Sequence, residues 1–134
     1  MPVSELPDYI EQVSAFAFAP TVDRLVEAIE AAGLTLFARI DHAANARAAG
    51  LIMPPATLLI YGHAKGGTPI MLAAPRSALD LPLRVLVRED AQAGTLVCLH
   101  PVVDMLRQSH VPEALAAGLE PAQRLLLKLS LIHI

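Results

Sequence analysis

Asp41 and His42 stand side by side at the end of an alternating apolar run, Leu34–Ile40. A histidine titrates near neutral pH, and an adjacent carboxylate can orient its ring and hold its proton, so the pair suits general acid–base work. Asp80, in Leu79-Asp80-Leu81-Pro82, precedes another apolar run and is a second carboxylate that could partner His42. The catalytic reading is therefore His42 with Asp41 or Asp80 as an acid/base pair. The same residues also have structural uses. Asp41 suits the N-cap of a following helix, His42 a polar contact in its first turn, and Asp80 a turn carboxylate accepting backbone N–H groups.

A second chemistry is carried by Gly62-His63-Ala64-Lys65-Gly66-Gly67-Thr68-Pro69. Read as a loop over Gly62–Gly67 that opens a helix at Thr68-Pro69, it offers free backbone N–H groups, a helix dipole and the Lys65 ammonium to one anion. Lys65, Gly66, Gly67 and Thr68 are the expected binding residues for a small carboxylate or phosphate. The lysine precedes the glycine pair, which excludes the Gly-Lys-Ser/Thr order of a nucleotide-hydrolysing loop. The structural alternative needs only glycines for tight turning, with Thr68 as N-cap and Pro69 at the first helical position. A positive φ at Gly67 would make a β-branched replacement there damaging.

Metal chemistry has little to build on. Cys98 and His100 lie two apart on a strand and share a face, but nothing has the close spacing of a zinc site. Met71 and Met105 read as core rather than haem ligands. No cofactor and no metal are expected.

The elements that must position these residues follow from periodicity. Glu11–Phe18 reads as a first strand. Thr21 reads as the N-cap of a helix with Val22, Leu25, Val26 and Ile29 on one face, ended by Gly33. Leu34–Ile40 is a second strand, His42–Ala49 an Ala-rich helix closed by Gly50, and Ala56–Tyr61 a third strand that begins after Pro54-Pro55. A short helix from Thr68 stops before Pro75. Leu83–Arg88 and Thr95–His100 form a hairpin through Glu89–Gly94, and the chain from Pro101 is helical in pieces broken by Pro112, Gly118 and Pro121. The order β-α-β-α-β-α-β-β-α predicts an α+β domain: one mostly antiparallel sheet with helices packed on one face.

Composition narrows the function classes. A chain of 134 residues is one domain, and 54% apolar residues with a mean hydropathy of +0.51 is greasy for its size. Strands apolar on both faces need cover, which predicts a homodimer. A net charge of −3, with no Trp, leaves no basic stripe or aromatic platform for nucleic acid. No apolar stretch reaches the roughly 20 residues needed to cross a bilayer, and the start carries no secretory pattern. With the lone Cys98, this points to the cytoplasm. The last six residues, Leu129–Ile134, match one frame of a common sequencing-adapter end and read as a non-native tail on a domain spanning residues 1–128.

Four stretches in this order resemble the DUF302 family, small α+β domains of bacteria and archaea. They are Ile40-Asp41-His42-Ala43, Gly50-Leu51, Gly62 to Met71 and Leu79-Asp80-Leu81-Pro82-Leu83. The resemblance spans roughly residues 11–112 and implies the fold above, with no established biochemical activity. His63-Ala64 stands where the family usually shows Asn-Pro. The functional expectation is a dimeric module that binds a small ligand, anionic if the glycine loop holds it. The alternative is an enzyme built on His42.

Overall fold

A computed structural model describes residues 9–130. Its centre is a five-stranded antiparallel sheet in the order β1-β5-β4-β3-β2, with β1 Ile10–Val13, β2 Thr35–Asp41, β3 Ala56–Gly62, β4 Leu83–Asp90 and β5 Gly94–Leu99. The strand runs alternate as the sequence does, so one set of side chains faces inward. Leu59, Tyr61, Val85, Val87, Val97 and Leu99 meet Val22, Leu25 and Ile29 of α1 (Phe18–Ala31). Val102 and Leu106 of α4 (Val102–Arg107), Ala116 of α5 (Glu113–Ala116) and Leu126 of α6 (Glu120–Ser130) complete that layer. The α+β architecture with helices against one sheet face is the one the element order predicts.

Local chemistry explains the element ends. Asp41 caps α2 (His42–Ala48) by accepting the Ala44 N–H at 2.9 Å. Gly33 and Gly50 sit at φ +76° and +79° just past α1 and α2, the left-handed position where glycine ends a helix at least cost. In the β4–β5 hairpin the Asp90 carboxylate accepts the Gln92 and Ala93 N–H groups, which lowers its pKa.

Three boundaries differ from the expected ones. The first strand stops at Val13 rather than Phe18, because the Ser14 hydroxyl takes the Phe16 N–H at 3.1 Å and turns the chain. Helix α1 begins at Phe18, so Pro20 falls in its first turn, where no N–H is needed. Thr21 is therefore not the N-cap. It is buried inside the helix, donating to the Ala17 carbonyl at 2.8 Å, with its hydroxyl 2.7 Å from that of Ser14. Pro121 does not break the last helix; it occupies the second position of α6. That helix is clamped by buried Gln123, which accepts the Val102 N–H at 2.9 Å and donates to the His100 carbonyl at 2.7 Å. Of the six residues read as a foreign tail, Leu129 packs against the core and Ser130 ends α6, while 131–134 lie outside the described residues.

Candidate functional site

The glycine segment is helix, not loop. β3 ends at Gly62, His63 is extended (φ −144°, ψ 121°), and α3 runs Ala64–Ala73. Gly66 and Gly67 lie in its first turn, and both amides donate to the His63 carbonyl, at 3.0 and 2.9 Å. Those N–H groups are satisfied within the helix, so they do not form the open nest expected from the sequence. Thr68 is the fifth residue of α3 rather than its cap, and Pro69 lies inside the helix, where it withholds the usual i+4 donor from the Lys65 carbonyl. The positive-φ glycines are Gly33, Gly50 and Gly94, so Gly67 is not among them.

What these glycines permit is close approach. A Cβ on Gly62 would come within 3.3 Å of Pro82 Cβ and 3.5 Å of Phe37 Cε2; one on Gly66 would stand 3.2 Å from Leu119 Cδ2. At Gly67 the nearest atoms, Met71 Cε and Leu81 Cδ1, are an ordinary 3.9 and 4.0 Å away.

Around this close packing the molecule holds a cavity of about 220 Å³. It lies at the end of the sheet where β3 finishes and β4 begins, with walls from Phe37, Met71, Leu81, Pro82, Leu119 and Ala122. Gly67 and Thr68 line it, and so does His63; Lys65 and Gly66 do not. Tyr61 forms part of the wall, is fully buried, and its hydroxyl has no hydrogen-bond partner among the described residues. Burial pushes the Tyr61 phenol well above its ordinary value, so it stays protonated.

The catalytic candidates do not converge. Asp41 pairs with Thr57 at one end of β3, while Leu83, three residues after Asp80, pairs with Tyr61 at the other. Four residue steps along the strand separate those positions, roughly 13 Å at about 3.3 Å per residue. Asp41 acts as a cap, and the half-buried His42 opens α2 beside it. Asp80 follows the 3₁₀ turn Pro75–Leu79, and its carboxylate accepts the Ser109 hydroxyl at 3.0 Å rather than the turn amides expected for it. It lines a separate cleft with Arg84, His100, Asp104 and Gln108. Among the described residues no three His, Cys, Asp or Glu side chains converge as a metal site.

Cys98 lies on the sheet face away from the core, opposite Glu11 on β1 and Leu86 on β4. Burial and the neighbouring Glu11 carboxylate push its thiol up to about 11. Glu11 is itself held by a two-pronged contact from Arg88, 3.1 Å at each oxygen.

Sequence reasoning missed Phe37, Tyr61, Leu81, Pro82, Leu119 and Ala122 as site residues. They come from five segments; Leu81 and Pro82 fall in a family-like stretch read only for Asp80, and the other four read by themselves as ordinary core or turn, so no local signal marked those.

A family model described as a domain of unknown function, DUF302, matches residues 10–129. The crystal structure of an uncharacterized conserved DUF302 protein from Bacillus stearothermophilus superposes with a TM-score of 0.82, covering 91% of this chain and 97% of that one. At 14% identity that likeness shows the fold alone. Fluoride-specific ion channel FluC 1 of Brucella suis and FluC 2 of Brucella melitensis are 39% identical to this chain over 77 residues. That segment is 58% of this chain but only 30% and 28% of the channels, so the chain spans less than a third of their length. Among the described residues no helix is long and apolar enough to cross a membrane.

Proposed function

The chain belongs to the DUF302 family, a domain of unknown function, and on that footing we propose that it is a non-catalytic module binding a small organic ligand in the cavity beside Gly62–Met71. One observation carries this reading. A cavity of about 220 Å³ incorporates a fully buried tyrosine whose hydroxyl is unpartnered among the described residues. Buried polar groups are nearly always hydrogen-bonded, and the exceptions concentrate at functional positions. An apolar cleft with a few polar groups is also the general form of a small-molecule site. The enzyme alternative has less support, because His42 and Asp80 stand at opposite ends of the sheet and neither lines this cavity.

We further propose that the module is a homodimer joined through the outer sheet face. Ile40, Leu58, Ile60 and Leu86 lie half-buried there, across the sheet from the core-facing set. Arg88 and Glu11 flank them, a pair of opposite charges that a two-fold axis can match with itself. In the Brucella channels the matching segment is a minor part of a longer chain, which suits a ligand-sensing attachment to a transport protein. Fluoride conduction itself is not carried over to this chain.

The direct test is an NMR titration with a library of small neutral and anionic organic molecules at millimolar concentration. Binding should move the amides of Gly62–Met71 and Leu81–Leu83 together, with the Asp41–His42 amides unmoved. Silence at the first group across the library would refute the reading.

A further inference from the structure

We propose that the ligand of this cavity is neutral and largely apolar, about nine non-hydrogen atoms in size, with one hydrogen-bond acceptor taken by the Tyr61 hydroxyl. This rests on the cavity being a ligand site and specifies the chemistry it selects. The size follows from the volume. A protein cavity of about 150 Å³ accommodates benzene, so about 220 Å³ suits a molecule half as large again.

The charge follows from the lining. None of the lining residues is Asp, Glu, Lys or Arg. Lys65, the nearest cation in sequence, lies outside the wall and is exposed. An anion entering here would shed its water and find, among the lining side chains, only the His63 imidazole able to take a positive charge, while the amides of Gly66 and Gly67 that could replace the water are committed to the His63 carbonyl. A carboxylate or phosphate is therefore disfavoured against a neutral molecule, in contrast to what the glycine-rich sequence invites.

The acceptor follows from Tyr61. A phenol has one O–H to donate, and this one is buried with no acceptor among the described residues. Its proton is retained across the neutral range, so it serves as a donor and not as a charge. Because the hydroxyl exposes no surface, a ligand reaches it only when the wall yields slightly. Met71, a long flexible side chain in that wall, is suited to give way. A carbonyl or ether oxygen then satisfies the phenol while the rest of the molecule covers Leu81, Leu83 and Leu119.

Cumene, acetophenone and benzoate separate these points, since each has about nine non-hydrogen atoms, on the scale of the cavity. Affinities for the wild type and Tyr61→Phe would be measured by NMR titration. Cumene should bind both proteins equally. Acetophenone should lose about tenfold on Tyr61→Phe, and benzoate should bind neither. In the wild type, the bound acetophenone carbonyl stretch should lie below its position in hexane, a readout that does not depend on the variant folding. An unchanged acetophenone-to-cumene ratio in Tyr61→Phe, or an unshifted carbonyl band, overturns the hydrogen bond while leaving the cavity as a ligand site. Benzoate binding tightest overturns the neutral-ligand assignment. Failure of all three probes to bind overturns this proposal and the ligand-site reading together.

Discussion

Replacing Gly67 with alanine should stabilise the protein, the opposite of what a glycine pair in a loop would suggest. Gly67 is the fourth residue of α3, its amide already bonds to the His63 carbonyl, and its φ is not positive. Alanine is favoured over glycine inside a helix by about 1 kcal/mol, chiefly through the freedom glycine has in the unfolded chain. The added methyl would meet Met71 Cε at 3.9 Å and Leu81 Cδ1 at 4.0 Å, ordinary contacts that cost nothing. For a domain of this length, about 1 kcal/mol corresponds to a rise in melting temperature of about 4 °C. Gly66→Ala is the internal control. It has the same helical gain, but its methyl would stand 3.2 Å from Leu119 Cδ2, so the side chain must move and the net gain should be smaller. Thermal unfolding followed by circular dichroism reads both. Because Gly67 lines the cavity, the same alanine should weaken the binding of probes there even as it stabilises the fold. A fall of several degrees in Gly67→Ala would refute the helical placement of this segment and restore the strained-loop reading.

Two further outcomes are expected. Cys98, pushed up to about 11 in the folded state, should react with iodoacetamide at pH 8 about a hundredfold more slowly than the same thiol in denaturant; equal rates would contradict its placement beside Glu11. The unfolded thiol ionises first as pH rises through its ordinary value while the folded thiol keeps its proton, so the thiol's contribution to stability is intact below the ordinary value and is lost as pH rises towards about 11. The wild type should sediment at twice the single-chain mass of 14.3 kDa, and Leu86→Arg, which puts a charge at the centre of the outer sheet face, should shift it to the single-chain mass. A wild type that runs as one chain at micromolar concentration would end the dimer proposal.

Much of the scaffold is legible residue by residue, because its determinants are local. Alternation over Thr35–Asp41, Ala56–Gly62 and Leu83–Asp90 marks strands whose pleat turns every second side chain inward. Gly33 and Gly50 announce helix ends because only glycine takes the left-handed conformation at little cost. Asp41 before an Ala-rich run announces a cap, and its carboxylate bonds the Ala44 amide. Where two local readings compete, the sequence is a poorer guide. Gly66 and Gly67 disfavour a helix, yet both lie in the first turn of α3 with their amides bonded to the His63 carbonyl, where close packing leaves little room for a side chain at Gly66. Thr21 suits a cap as a residue type, but the turn at Ser14 and Pro20's tolerance of a first helical turn draw the helix start back to Phe18.

The cavity belongs wholly to the second kind of information. Phe37, Tyr61, Pro82 and Leu119 are far apart in sequence, and each is only an apolar or turn residue in its own segment. Pairing of Leu36 and Leu83 with Tyr61 brings β2 and β4 to the same end of β3, and Gly62 lets Pro82 and Phe37 close in behind it. Sheet register also separates His42 from Asp80, since neighbours in an antiparallel sheet are set by pairing, not by the shared property of lying next to a strand. Most of the strands, and the helix ends marked by Asp41, Gly33 and Gly50, were therefore determined by short-range chemistry written in the sequence. Which side chains enclose space together, and which candidate residues never meet, was decided only when long-range pairing set the distances between them.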